Sequence, residues 1–154
     1  MKSISIMLAM AGVAFAPLQQ EPKFIDPTGT YLLKGETKKS KIVGHSGEIR
    51  IKLLDPTTVA MSFFICKGFP NYETGSFIDT LSYSDNKVMY KPPADSGCTI
   101  AFWFDDLSAE TQQYFTNPRS ACGFGPGVMK STVFEKRSSE IPIIKDLSAR
   151  AGLQ

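Results

Sequence analysis

The sequence predicts an all-β protein, a single antiparallel up-and-down barrel of about eight strands, with a two-sheet sandwich as the alternative. Three observations carry this expectation. Apolar and polar residues alternate in short runs, turn residues separate those runs at short intervals, and no helix stands among them. Eleven Phe and five Tyr, together with Val, Ile and Thr, supply the residue types that favour strands.

The first strand is expected over Gly29 to Glu36, after the turn Asp26-Pro27-Thr28-Gly29. Glu48 to Leu54 is the clearest, since Ile49, Ile51 and Leu53 alternate with Glu48, Arg50 and Lys52 to give one buried and one wet face. Asp55-Pro56-Thr57 turns the chain into Val59 to Ile65, with Val59, Met61, Phe63 and Ile65 on one side. The loop Gly68 to Gly75 leads to Ser76 through Tyr83, and Asp85-Asn86 forms a tight hairpin into Lys87 to Lys91. Cys98 to Phe104 follows, with Ile100, Phe102 and Phe104 in phase with Cys98. Asp105-Asp106 reverses the chain into Ala109 to Thr116, and Gly127 to Arg137 is the last strand. Closing such a set into a barrel leaves no sheet edge free to pair with other chains, and the many Phe favour a filled interior. The tail from Ser138 to Gln154 is compatible with an extended docked segment, a short helical turn or disorder.

Ahead of the barrel, Lys2 precedes an apolar stretch from Ile4 to Ala16 that ends in the small-x-small triplet Ala14-Phe15-Ala16. This is the pattern of an export signal spanning residues 1 to 16, with cleavage after Ala14 as an alternative because Pro17 follows Ala16 directly. The stretch is too short to cross a bilayer, so the expected product is periplasmic or secreted and is not an integral membrane protein once cleaved. About 138 residues then remain: a lead over 17 to 28, the barrel over 29 to 137 and the tail, enough for one domain. The formal charge of +2 falls to near +1 without Lys2, a balance that gives no overall field toward nucleic acid or an anionic membrane.

An exported chain with three cysteines invites a disulfide. Cys98 is in phase with the inward residues of its strand, whereas Cys66 is out of phase with Val59, Met61, Phe63 and Ile65. Cys98 with Cys122 is therefore expected over any pair involving Cys66, which is left as a partly buried thiol at a strand end. Closing a loop of about 24 residues stabilises a domain by ~3 kcal/mol in the chain-entropy account. The run Cys122-Gly123-Phe124-Gly125-Pro126-Gly127-Val128 reads as the corner before the last strand, because its glycines permit backbone angles barred to other residues. No Lys-Ser or Lys-Thr follows in phosphate-loop spacing.

Gly29-Thr30-Tyr31, Gly47-Glu48-Ile49-Arg50-Ile51, Asn71 with Gly75-Ser76-Phe77, Tyr90, Cys98 and the Cys-Gly-Phe-Gly-x-Gly-Val run at Cys122 together resemble a group of small exported bacterial domains. These are similar in architecture to the bacterial inhibitors of C-type lysozyme, small eight-stranded antiparallel barrels with a disulfide. The resemblance covers roughly residues 28 to 137. It implies a muramidase or another protein as partner. The chain carries no clear copy of the Ser-Gly-x-x-Tyr-like inhibitory motif of those inhibitors.

Candidate contact residues lie in two loops. Lys41, His45 and Ser46 could hydrogen-bond the paired carboxylates of a muramidase cleft. Phe69 and Tyr72, beside Gly and Pro, are either exposed anchors or a cover over the open barrel end. Trp103 should face the side opposite Phe102 and Phe104. His45 is the single histidine, so a metal site lacks its usual ligand set and a hydrolase triad lacks an identifiable nucleophile; no catalytic residue, metal or cofactor is expected. The leading function is thus a monomeric, non-enzymatic binding module of the lysozyme-inhibitor kind. A lipocalin-like carrier of a small apolar ligand and a structural envelope protein are the alternatives.

Overall fold

Residues 21–149 are described by a computed structural model of the protein. The expected export signal lies outside these residues. The fold is a closed antiparallel barrel of eight strands, together with a small separate hairpin. In chain order the strands are β1 (Gly29–Leu33), β2 (Glu36–Lys38), β3 (Lys41–Val43), β4 (Ser46–Asp55), β5 (Thr58–Cys66), β6 (Thr74–Ser84), β7 (Lys87–Tyr90), β8 (Cys98–Phe104), β9 (Ser108–Phe115) and β10 (Thr132–Ser138). The barrel order is β1-β10-β9-β8-β7-β6-β5-β4, and β1 closes it by pairing with both β10 and β4.

Two boundaries differ from the sequence expectation by three residues or more, the others by at most two. The first strand stops at Leu33, and the chain then forms the exposed β2–β3 hairpin, turned by Lys39 and Ser40 at positive φ. The last strand begins at Thr132, because residues 127–131 still belong to the corner. There Gly123, Gly125 and Gly127 take φ of 73°, 100° and 71°, the left-handed geometry that glycine adopts at no steric cost.

The up-and-down topology sorts the connections into two kinds. Every tight turn lies at one end: 56–57, 85–86 and 105–107. Aspartates set these reversals with their own carboxylates. Asp55 accepts from the Thr57 amide at 2.8 Å, and Asp105 accepts from the amides of Leu107 and Ser108 at 2.7 and 2.6 Å. Asp85 and Asn86 sit at φ 53° and 57°, as a type I′ hairpin turn requires. The lead plugs this end. Tyr31 donates its hydroxyl to the Pro27 carbonyl at 2.9 Å, Tyr83 to the Ile25 carbonyl at 2.7 Å, and the Asn86 amide group clamps Ile25 and Lys23 at 2.8 Å each. Burial pushes the Tyr83 phenol up to about 12, so it remains a donor throughout the neutral range.

Inside, the lumen is filled by side chains. Phe63 sits at its centre with ring centroids 5.3 Å from Phe77, 5.2 Å from Phe102, 6.5 Å from Phe124 and 6.0 Å from Phe134. Aromatic rings thus occupy the centre of the barrel. The wall is weakest between β6 and β7, which pair only at Tyr83 and Ser84. Side chains close the gap above that point. Phe77 stacks on Tyr90 at 3.7 Å, and the Phe124 ring lies so close to Gly75 that a Cβ there would meet it at 2.3 Å.

Cys98 and Cys122 form the expected disulfide, buried in the main core with Cα atoms 5.1 Å apart. Cys66 is a free thiol, but it is fully buried rather than partly so. The reason is the tail. From Ser138 the chain runs back along the outer face of β4 and β5 as an extended strap to Leu147 and enters a short 3₁₀ turn at 148–149, so the described part of the tail combines two of the forms the sequence left open. The Lys145 amide donates to Ser62 Oγ at 3.0 Å, Arg50 reaches the Ile143 carbonyl at 3.3 Å, and Leu147 packs with Phe64 and Cys66 in a second apolar cluster. Beneath the strap Arg50 pairs with Glu48 at 2.6 Å. Residues out of phase with the lumen are thereby buried on the outside.

Leu147→Ala is expected to open the strap without opening the barrel. The low end of the range for buried Leu→Ala, about 2 kcal/mol, raises the open population roughly thirty-fold. Cys66 should then react with a thiol reagent faster by about that factor. An unchanged reaction rate would show that Leu147 is not what protects the thiol.

Candidate functional site

All four long connections meet at the end of the barrel opposite the tight turns: 34–45, 67–73, 91–97 and 116–131. Loops held by a rigid β scaffold are the usual carriers of binding residues. Backbone bonds lock the first two together. The Phe69 amide donates to the Ile42 carbonyl at 2.8 Å, Phe69 bridges Val43 in parallel, and a Cβ on Gly68 would meet the Gly44 carbonyl at 2.3 Å. Gly68 itself takes φ 79°. A side chain at this position would be barred by both the conformation and the close approach.

This locking brings three of the five candidate residues into one patch. The Lys41 ammonium lies 4.2 Å from the Phe69 ring centroid, and the Phe69 and Tyr72 rings meet edge to face at 6.4 Å. Both rings remain partly open to solvent, Phe69 at 43% and Tyr72 at 37%. Neither ring belongs to the cluster that fills the lumen. Next to them Lys67 pairs with Glu73 at 2.5 Å and donates to the Pro126 carbonyl at 3.3 Å, tying this patch to the corner.

The other two candidates take different places. His45 is half-buried and donates from Nε2 to the Gly127 carbonyl at 2.9 Å, which fixes the proton on that nitrogen and ties the first loop to the corner. Ser46 is the first residue of β4 and is only 7% exposed, so it cannot reach a partner from the surface. The sequence placed it in the loop because Gly44 and Gly47 bracket it, whereas the strand begins between them.

Asp95 organises the third and fourth connections. Ser120 Oγ donates to it at 2.5 Å and the Ala121 amide at 3.0 Å, holding the carboxyl below its usual range. Sequence reasoning passed over this residue: the Gly97 amide also donates to it at 3.2 Å in a local turn, but the bonds to Ser120 and Ala121 lie about twenty-five positions away and no motif in the sequence marks them. Trp103, on the outer wall, is partly exposed as expected, with the Lys87 ammonium 4.6 Å from its ring. Among the described residues no group of three or more His, Cys, Asp or Glu is placed to hold a metal ion, and no helix is long and apolar enough to cross a membrane.

Compared with protein families, curated proteins and solved structures, the chain matches none.

Proposed function

We propose that the protein is an exported, non-enzymatic binding module that engages another protein through its long-loop end, in the manner of a muramidase inhibitor. The observation that carries this reading is the Lys41, Phe69 and Tyr72 patch, built from two loops locked on a rigid barrel whose interior is filled. A cation beside two half-exposed rings suits a carboxylate-lined sugar cleft, where the ammonium meets the acids and the rings cover apolar faces. The buried disulfide supports export, because such bonds persist outside reducing compartments.

The test is inhibition of cell-wall lysis by the purified protein against several muramidases. Tyr72→Ala, an exposed truncation, is expected to leave the fold intact and to weaken inhibition by about thirty-fold or more, the scale of an interface hot spot of ~2 kcal/mol. Absence of inhibition across the panel would remove the muramidase reading. Inhibition unchanged by Tyr72→Ala and Lys41→Ala would keep the class and discard this patch.

A further inference from the structure

The near-neutral total charge conceals a polar molecule. The four connections of the long-loop end carry eight Lys and Arg against three acidic residues, whereas the lead, the turns 56–57, 85–86 and 105–107 and Asp55 at the end of β4 carry six acidic residues against Lys23 alone. Turn chemistry explains the second count, since the tight reversals use aspartate carboxylates to hold their amides. Lys52, Lys87 and Lys136 on the strands temper that pole.

At the long-loop pole the compensation is local and incomplete. Glu36 is taken up by Lys38 at 2.9 Å and Glu73 by Lys67, while the Asp95 carboxylate is spent on Ser120 and backbone amides. Lys34, Lys39, Lys41, Lys91, Arg119 and Lys130 have no ion pair among the described residues. Lys39 in the turn and Lys41 at the start of β3 stand on the exposed hairpin, and the Lys41 ammonium lies over the Phe69 ring.

We propose that the long-loop pole takes an acidic protein partner, drawn in by these six uncompensated cations and seated on the Lys41, Phe69 and Tyr72 patch. The inference rests on the reading of this pole as the contact surface, and it names the partner's charge. A strongly basic partner, such as a C-type lysozyme, would meet a repulsive field; a muramidase that binds here has an acidic rim. Charge at an interface rim acts on the encounter rate more than on dissociation, so the signature is kinetic and salt-dependent.

The experiment uses the full-length chain with two charge-matched variants, Lys39→Glu/Lys41→Glu at the long-loop pole and Lys23→Glu/Lys52→Glu at the other. Each is measured for binding to poly-glutamate, as a probe of an acidic polypeptide, and for association rate and inhibition with one acidic and one basic muramidase. Poly-glutamate binding should fall about ten-fold or more for the long-loop variant at low salt and change less than about two-fold for the other. Any inhibited muramidase should be the acidic one, with an association rate that drops as salt rises. Equal losses in both variants, or no poly-glutamate binding, would overturn the inference. Preferred inhibition of the basic enzyme would overturn it while leaving the muramidase reading in place. Conversely, pole-specific poly-glutamate binding without inhibition of either enzyme would retain the acidic partner and count against a muramidase. Tighter pole-specific binding to phosphatidylglycerol vesicles than to poly-glutamate would reassign the surface to anionic lipid and overturn the protein partner.

Discussion

Phe63→Ala is expected to be among the most damaging single substitutions in the barrel, lowering the free energy of unfolding by about 3–5 kcal/mol. The ring is fully buried and touches four other aromatic rings contributed by β6, β8, β10 and the corner. Those neighbours are fixed by four separate backbones, so the space left behind cannot collapse and the cavity cost adds to the lost transfer energy. Each kcal/mol corresponds to roughly 2–8 °C in melting temperature across domains near this size, so the midpoint should fall by more than about 6 °C. Trp103→Ala is the contrasting control: its ring lies on the outer wall, and its removal should stay within about 1 kcal/mol. Chemical denaturation followed by fluorescence and circular dichroism checks both variants. A Phe63→Ala protein as stable as the parent would mean that the lumen is not packed as described.

The second large effect concerns the bridge. The double substitution Cys98→Ala/Cys122→Ala should destabilise the domain by about 3 kcal/mol, the chain-entropy value for a loop of this length. The bond joins the top of β8 to the corner across 24 positions, and it holds the segment from which Phe124 reaches across to Gly75. Its loss should therefore loosen the gap between β6 and β7 before the rest of the wall. Hydrogen exchange of the amides in Thr74–Leu81 is the local readout, and the denaturation midpoint is the global one. If the double variant matches the parent in both, the corner is held by packing alone.

Much of this fold was legible in the sequence because most strands bury one face and wet the other. Ile49 and Ile51 in β4, Phe63 and Ile65 in β5, and Ile100 and Phe102 in β8 all point inward as period-2 alternation requires. The same phase argument chose the correct cysteine pair. It failed for Ser62, Phe64 and Cys66, which are buried although they face outward, because the strap that covers them comes from a distant part of the chain. The β2–β3 hairpin was missed for a different reason. Each strand has only three residues, β2 is polar throughout, and Ile42 and Val43 of β3 are adjacent and only partly buried, so no alternation marks them.

The candidate patch was legible one residue at a time and not as an arrangement. Lys41, Phe69 and Tyr72 stood out as a cation and two rings in turn-rich loops, but the amide of Phe69 bonded to Ile42 is what makes them neighbours. The charge polarity was hidden for the same reason. Each connection contributes one to four cations, and only the barrel topology collects them at one pole.

The strap also fixes how the molecule can be attached to anything else. Lys23 is clamped at the tight-turn pole, while Leu147, beside Cys66 at the far end of β5, has been carried to the opposite pole. A surface tether or fusion joined ahead of the lead therefore presents the Lys41, Phe69 and Tyr72 patch outward, away from its support. One joined after the strap leaves from the same pole as that patch, so immobilisation through the two ends should give different capture of the same partner.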